Sequence, residues 1–353
     1  MKHLDRYVMS HVLGMTAVTA LALLAIQTFI AYIAEIDEVG QGDFGYVALA
    51  QYIVLQMPLG LNTLLPIIAM LGTMLGLGIL AGQGELTAMR AAGVSLLRLG
   101  TATLSAGLVL AALTVALSDW IAPTGQQWAE ALKSEKRYGV KPGVGGRTVW
   151  LREGSHFYRI QRLVDESHVE AMTIYELDSE QALTSVMEVE RGRHESGRWL
   201  LEQVQTTRFD AEGASLDRHI ELPWDGLSPE VLRLFVLESQ SLSAPGLMRL
   251  VAYMQANGLD ALDYQLAMWR KLVAPFTVMA MMLLAVPFVL GPLRDSGAGQ
   301  RLLVGILMGL GFYLFNEVTV SIGQLYQWPA FATAAGPTVA VALLAIWRLS
   351  RAR

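Results

Sequence analysis

Apolar residues crowd into six stretches of this chain, roughly 11–34, 58–80, 96–118, 271–291, 301–322 and 329–347. A helix rises about 1.5 Å per residue, so about 20 apolar residues cross a hydrocarbon core of roughly 30 Å. Each stretch is close to that length, and the pattern predicts six transmembrane helices. The first also carries Ala20-Leu21-Ala22, which loosely resembles a signal cleavage site. It is longer than the apolar region of a secretory signal and is read as a span. Gly72 and Gly76 in the second span, and Gly305 and Gly309 in the fifth, have the i,i+4 spacing that lets helix backbones approach. Such pairs serve packing within the chain or against a partner helix. Pro58, Pro66, Pro275 and Pro287 are expected to kink or bound their helices.

Between the third and fourth spans the period changes. Thr148–Arg152, His156–Leu163, Glu170–Leu177, Leu183–His194, Trp199–Phe209 and Arg218–Trp224 alternate moderately in polarity. Glu153-Gly154, Asp178-Ser179, Ser196-Gly197 and Glu212-Gly213 separate them with turn chemistry. Six short strands at this spacing predict a sandwich or jelly roll. After Pro229 the pattern turns helical, and Pro245 to Asn257 reads as a helix closed by Asn257-Gly258. Asp260 is placed to cap the helix that enters the fourth span. The expected fold class is an α-helical membrane protein with six transmembrane helices and an inserted all-β, jelly-roll-like domain. Its expected parts are 1–118 (helices 1–3), 119–241 (the β-domain) and 242–353 (a helical connector and helices 4–6).

Composition agrees with that division. Of 353 residues, 53% are hydrophobic and 16% charged, against about 25% charged in soluble domains. Residues 119–271 hold 17 of the 26 Lys and Arg and 23 of the 31 Asp and Glu, so the charge sits in the insert. The remaining cations are Lys2, Arg6, Arg90, Arg98, Arg294, Arg301, Arg348, Arg351 and Arg353, all on one side of the predicted spans. The short loops on the other side, 35–46 and 323–328, have no Lys or Arg. That asymmetry predicts cytoplasmic termini and an external insert. Cysteine is absent, which excludes disulfides and thiolate metal sites.

Catalytic patterns are missing. No GxxxxGK[ST], HExxH or GxSxG occurs, and His3, His11, His156, His168, His194 and His219 show no ligand-like pairing. The chain is expected to be non-catalytic and without a cofactor of its own. Three features remain. Gly84 to Gly93 forms a short amphipathic segment with Leu86 and Met89 on one side and Glu85 near its start, suited to the membrane surface or to docking a cytosolic protein. Glu317, beside Asn316, is an acid towards the outer end of the fifth span, and either reaches water or serves function. Glu35, Asp37, Glu38 and Asp43 make the loop after the first span acidic, as in a solvated loop.

Several strings, in order along nearly the whole chain, carry a resemblance. They are Leu4-Asp5-Arg6-Tyr7, Gly40-Gln41-Gly42, Leu75-Gly76-Leu77-Gly78 with Glu85-Leu86, and Met89-Arg90-Ala91-Ala92-Gly93. Trp120-Ile121-Ala122-Pro123, Tyr264-Gln265-Leu266 with Met268-Trp269 and Lys271, and Gly291-Pro292-Leu293-Arg294 follow. The set resembles the lipopolysaccharide export permeases of the LptF/LptG family. The Asp-Arg-Tyr start and the Gly-Pro-Leu-Arg loop favour the LptG branch, with LptF the alternative.

The resemblance implies a half-transporter in a Gram-negative inner membrane, paired with an LptF-like permease around a V-shaped cavity. It implies a dimeric cytosolic ATPase, LptB, that binds ATP and Mg, a single-span partner, LptC, and a periplasmic bridge reached through LptA. Glu85, Leu86, Met89 and Arg90 match the family's coupling helix. The first and fifth spans match those that gate the cavity, which nominates Leu24, Thr28, Tyr32, Phe312, Phe315 and Glu317. Some members carry lysines near the outer end of the first span, where this sequence has Ala31, Asp37 and Glu38. Lipid A phosphates are then left to Arg or Lys of LptF or LptC or to bridging divalent cations, with Lys133, Lys136 and Arg137 as candidate contacts within this chain. A solitary secondary transporter and a membrane scaffold are the competing readings. The sequence offers no convincing internal repeat and few intramembrane charges for the former.

Overall fold

A computed structural model describes residues 2–139, 148–165, 167–178, 180, 182–195, 197–210, 213–226, 232, 242–291 and 296–351. Positions 292–294 of the Gly-Pro-Leu-Arg string, the turn residues Ser179, Ser196 and Glu212, and Pro229 and Arg353 lie outside them. The chain forms two compact units, residues 1–37, 53–126 and 262–353 in one and residues 38–52 and 127–261 in the other.

In the first unit the apolar stretches become long helices: α1 (Lys2–Glu35), α2 (Tyr46–Gly82) and, after the short α3 (Glu85–Ala91), α4 (Leu96–Ala116). A π-helical turn at Leu117–Ile121 joins α4 to α5 (Ala122–Tyr138), so the charged insert opens on a helix. Beyond the strands and α6 (Ala244–Ala256) come α7 (Leu262–Leu290), α8 (Ala298–Leu325) and α9 (Ala330–Arg351). Six helical stretches are long and apolar enough to cross a membrane. Pro58 and Pro66 sit inside α2 and Pro275 and Pro287 inside α7, and none ends its helix.

The core of this bundle is built on α2, α4 and α7, with Leu65, Met70, Met74 and Leu77 packed among Leu99, Ala106, Met281 and Val286. The predicted glycines work inside the chain. A Cβ at Gly76 would lie 2.9 Å from the Val12 Cα, and one at Gly72 would collide with Thr16, so α1 rests directly on α2. Gly305 and Gly309 of α8 face Leu71 and Ile67 of α2 in the same way. In lipid, where burial from water supplies no drive between helices, such close contact is the main source of cohesion. Trp120 and Trp328 at one end of their helices and Trp347 at the end of α9 remain exposed, as interfacial aromatics do.

In the second unit six strands, β1 (Val149–Glu153), β2 (His156–Asp165), β3 (His168–Leu177), β4 (Leu183–Glu195), β5 (Arg198–Asp210) and β6 (Gly213–Trp224), pair antiparallel in sequence order. One face gathers Tyr158, Ile160, Met172, Ile174, Val189, Trp199, Leu201 and Val204 into a core. Besides register shifts at Leu163/Asp165 and Glu176/Leu177, the ladder is interrupted along one row, Gln161, Ala171, Glu190, Gln203 and Ile220, which crosses five strands. Ala171 and Gln203 in that row have φ of 52°. Inward residues otherwise two apart, such as Met187 and Val189, jump by three to Gly192 across the row. Left-handed residues of this kind bend and twist a strand. Repeated in register, they crease the sheet so that both halves present apolar side chains to one core. Burial pushes the Tyr158 hydroxyl up to about 12 while Trp224 Nε1 donates to it at 3.3 Å. Burial likewise raises Tyr253 of α6 to about 12, its hydroxyl donating to the Arg152 carbonyl at 2.8 Å.

Candidate functional site

The predicted amphipathic segment folds as α3 between two left-handed glycines, Gly84 (φ 77°) and Gly93 (φ 89°). L side chains rarely adopt such angles, so the glycines turn the chain sharply out of α2 and back into α4. Leu86 is 3% exposed and inserts into the bundle core, with Met89 packed beside it. Glu85 is half-buried and its Oε1 accepts a hydrogen bond from the Tyr7 hydroxyl at 3.1 Å. Arg90 is exposed, as are Thr87 and Ala88. The helix is thus anchored by Leu86 and Met89 and offers Glu85, Thr87, Ala88 and Arg90 outward. Thr87 and Ala88 were not singled out in the sequence, because a small or neutral residue carries no signal until its neighbours are known to point inward.

The first and fifth spans share a second feature. After Thr19 no residue of α1 is buried, and Leu21, Ile26, Phe29, Ile30 and Ile33 are more than half exposed. Leu24, Thr28 and Tyr32 lie half-buried one turn apart on this stretch. From Leu310 to Thr319 no residue of α8 is buried either. Phe315 is exposed, whereas Phe312 packs against the bundle core. The two helices therefore hold to their own bundle through one half and leave apolar strips uncovered along the other. Glu317 is paired, its Oε1 lying 2.6 Å from Arg270 Nη2 on α7. Sequence reading had no means of joining two residues 47 apart. Near Thr28, Gln27 lies against Gly60 of α2, and its Oε1 has no hydrogen-bond partner among the described residues.

A third cluster brings the acidic loop and the predicted cations together. Lys133 Nζ lies 2.7 Å and Arg137 Nη1 3.0 Å from the two carboxylate oxygens of Glu38. Arg137 Nε also donates to the Gln41 side chain at 2.8 Å, and the Asp43 amide donates to the Lys136 carbonyl at 2.7 Å. A Cβ at Gly42 would lie 2.5 Å from the Arg137 carbonyl, so only glycine lets the loop seat this closely. Glu38 is therefore no solvated loop acid. It pairs with two of the three candidate phosphate contacts.

Comparison with known proteins bears on this arrangement directly. The profile of the lipopolysaccharide export system permease LptF/LptG matches residues 6–351. The chain belongs to that family. It is 28% identical to the lipopolysaccharide export system permease protein LptG of Escherichia coli (strain K12), over 99% of this chain and 98% of that protein. The LptG of Haemophilus influenzae is 29% identical over 99% of both chains. The match takes in all six membrane helices, α3 and the inserted sheet. The multi-pass membrane character follows from the helices and the family alike.

Proposed function

We propose that the chain is the LptG-type permease subunit of an ATP-driven transporter that takes lipopolysaccharide from the outer leaflet of the inner membrane and passes it to a periplasmic bridge. The observation that carries this is the pair of uncovered apolar strips on α1 and α8 in a chain whose full-length relatives are named lipopolysaccharide export permeases. Strips of this kind suit a second permease and the acyl chains of a lipid between the two. The partner is an LptF-like chain, with LptC alongside and LptA further along the bridge. The termini and α3 face the cytoplasm, and the β-domain faces the periplasm, in keeping with the placement of Lys and Arg. ATP and Mg²⁺ are bound by a separate dimeric ATPase, LptB, seated on Glu85, Thr87, Ala88 and Arg90.

Physical chemistry explains the need for fuel and for an apolar path. Burial is worth about 0.8 kcal/mol per CH₂, so bringing one acyl chain of a dozen carbons into water costs on the order of 10 kcal/mol. Several chains together make spontaneous release negligible. Apolar strips such as those on α1 and α8 lower that cost along the route, and ATP hydrolysis supplies the remainder.

Gentle purification of the tagged chain from its native membrane tests the proposal. Recovery of a Walker-type ATPase and a second six-span homologue, with ATP hydrolysis stimulated by lipopolysaccharide, is the expected result. A chain that comes out alone or as a homodimer, without any ATPase, would overturn it.

A further inference from the structure

Arg301 belongs to the cations that the sequence places on one side of the predicted spans, yet it is only 6% exposed. It lies in the first turn of α8, and its Nη1 donates to the Gly78 carbonyl of α2 at 2.7 Å. A Cβ at Gly78 would meet Nη1 at 2.6 Å and Cδ at 2.8 Å, so the guanidinium lies against bare backbone. A buried arginine must have its donors met, and this one, although in the positive first turn of α8, meets a carbonyl near the C-terminal, negative end of α2. Along the same face of α8, at four-residue intervals, follow Gly305 and Gly309, set against Leu71, Met74 and Ile67 of α2. These glycines form notches that seat the α2 side chains. Arg301 is the polar peg at the head of that seam.

The position of the peg gives it consequence. Gly78 lies one turn before α2 ends at Gly82, and α3 begins at Glu85. Anything that displaces α3 therefore displaces the segment that Arg301 holds. Over Leu310–Thr319, by contrast, α8 has no buried residue. We propose that Arg301, gripping the Gly78 carbonyl, is the positioning residue that makes α8 move with the α2–α3 corner, so that a push on α3 is delivered to the uncovered strip of α8. This deepens the transporter function proposed above and rests on it.

The test uses the assembled complex with its partner permease and ATPase. Arg301→Met removes the peg, and Gly78→Ala displaces it from the other side, where the neighbouring atoms belong to a flexible side chain. Each variant is expected to retain ATP hydrolysis while lipid released per ATP falls about tenfold, the effect of losing one charge-assisted hydrogen bond. The double variant is expected to be no worse than either single one. Spin labels at the exposed Ile79 and Leu303 supply a readout that a purely structural role would not move. Their separation should stay constant through the nucleotide cycle in the native complex and change with nucleotide in Gly78→Ala. Lipid release per ATP and label separations that match the native complex in Gly78→Ala would overturn the linkage, as would additive losses in the double variant. Loss of ATPase and release in parallel, with unchanged label separations, would also overturn it. A native complex that hydrolyses ATP without releasing lipid would instead overturn the transporter function itself.

Discussion

Replacing Glu38 by Gln probes the clasp between the acidic loop and α5. One carboxylate there serves Lys133 at 2.7 Å and Arg137 at 3.0 Å, and the three side chains are 24%, 17% and 23% exposed. With an effective dielectric constant near 20, each attraction is several kcal/mol before solvation is counted. Water lost by three partly buried ions cancels most of that, and residual exposure screens more. The amide keeps one acceptor oxygen but leaves two cations facing each other. A net loss of about 1–3 kcal/mol in docking of the loop follows, which corresponds to roughly 5- to 150-fold faster local opening. Hydrogen exchange read by mass spectrometry reports this at the Asp43 amide, bonded to the Lys136 carbonyl, and at the Gly40 amide, bonded to the Phe44 carbonyl. Strand amides of β4 and β5 serve as the internal reference and should not change. Unaltered exchange over 38–45, or equal acceleration across both regions, would refute the assignment of Glu38 as the local fastener.

Other outcomes are equally specific. Leu86→Ala should destabilise the seating of α3 by about 2–4 kcal/mol, since the side chain is buried in the bundle core, and ATPase recovered with the permease should drop accordingly. Glu85→Lys should leave α3 seated but abolish lipid export, measured as release from proteoliposomes, with the permease still folded. Gln203→Gly should be neutral or stabilise the sheet by up to about 1 kcal/mol, because φ of 52° costs an L residue more than it costs glycine, whereas Thr173→Gly in the regular part of β3 should lower the melting temperature. Tyr158 and Tyr253 bind their protons more tightly when folded, so their contribution is intact below about pH 10 and is lost as pH rises through about 12. Alkaline unfolding of the β-domain should therefore steepen above about pH 10, and Tyr158→Phe should flatten that limb. Substituting Lys133, Lys136 and Arg137 together by Ala should reduce lipopolysaccharide-stimulated ATP hydrolysis, and unchanged stimulation would exclude them as phosphate contacts.

Much of this molecule is legible along the chain. Six apolar runs of sufficient length had to become membrane helices, because unsatisfied backbone is too costly in lipid for any other local choice. Strand limits predicted from alternation lie within two residues of the observed ones, as in Leu183–His194 against Leu183–Glu195, except that the sixth strand begins at Gly213 where Arg218 was expected. The alternation was only moderate because the crease row shifts the inward phase by one in several strands at once. A shift of that kind has no composition signature, for Ala171 and Gln203 are not turn formers.

Tertiary structure alone decided what each of these charges meets. Glu38 with Lys133, Arg270 with Glu317 and Arg301 with Gly78 are separated by 95, 47 and 223 positions, and no local rule links them. Propensity and hydropathy are properties of neighbours along the chain, within about one helical turn or one strand pair. Such pairing depends on where distant segments end in space, so Arg301 and Glu38 read as surface residues until folding set each against its partner.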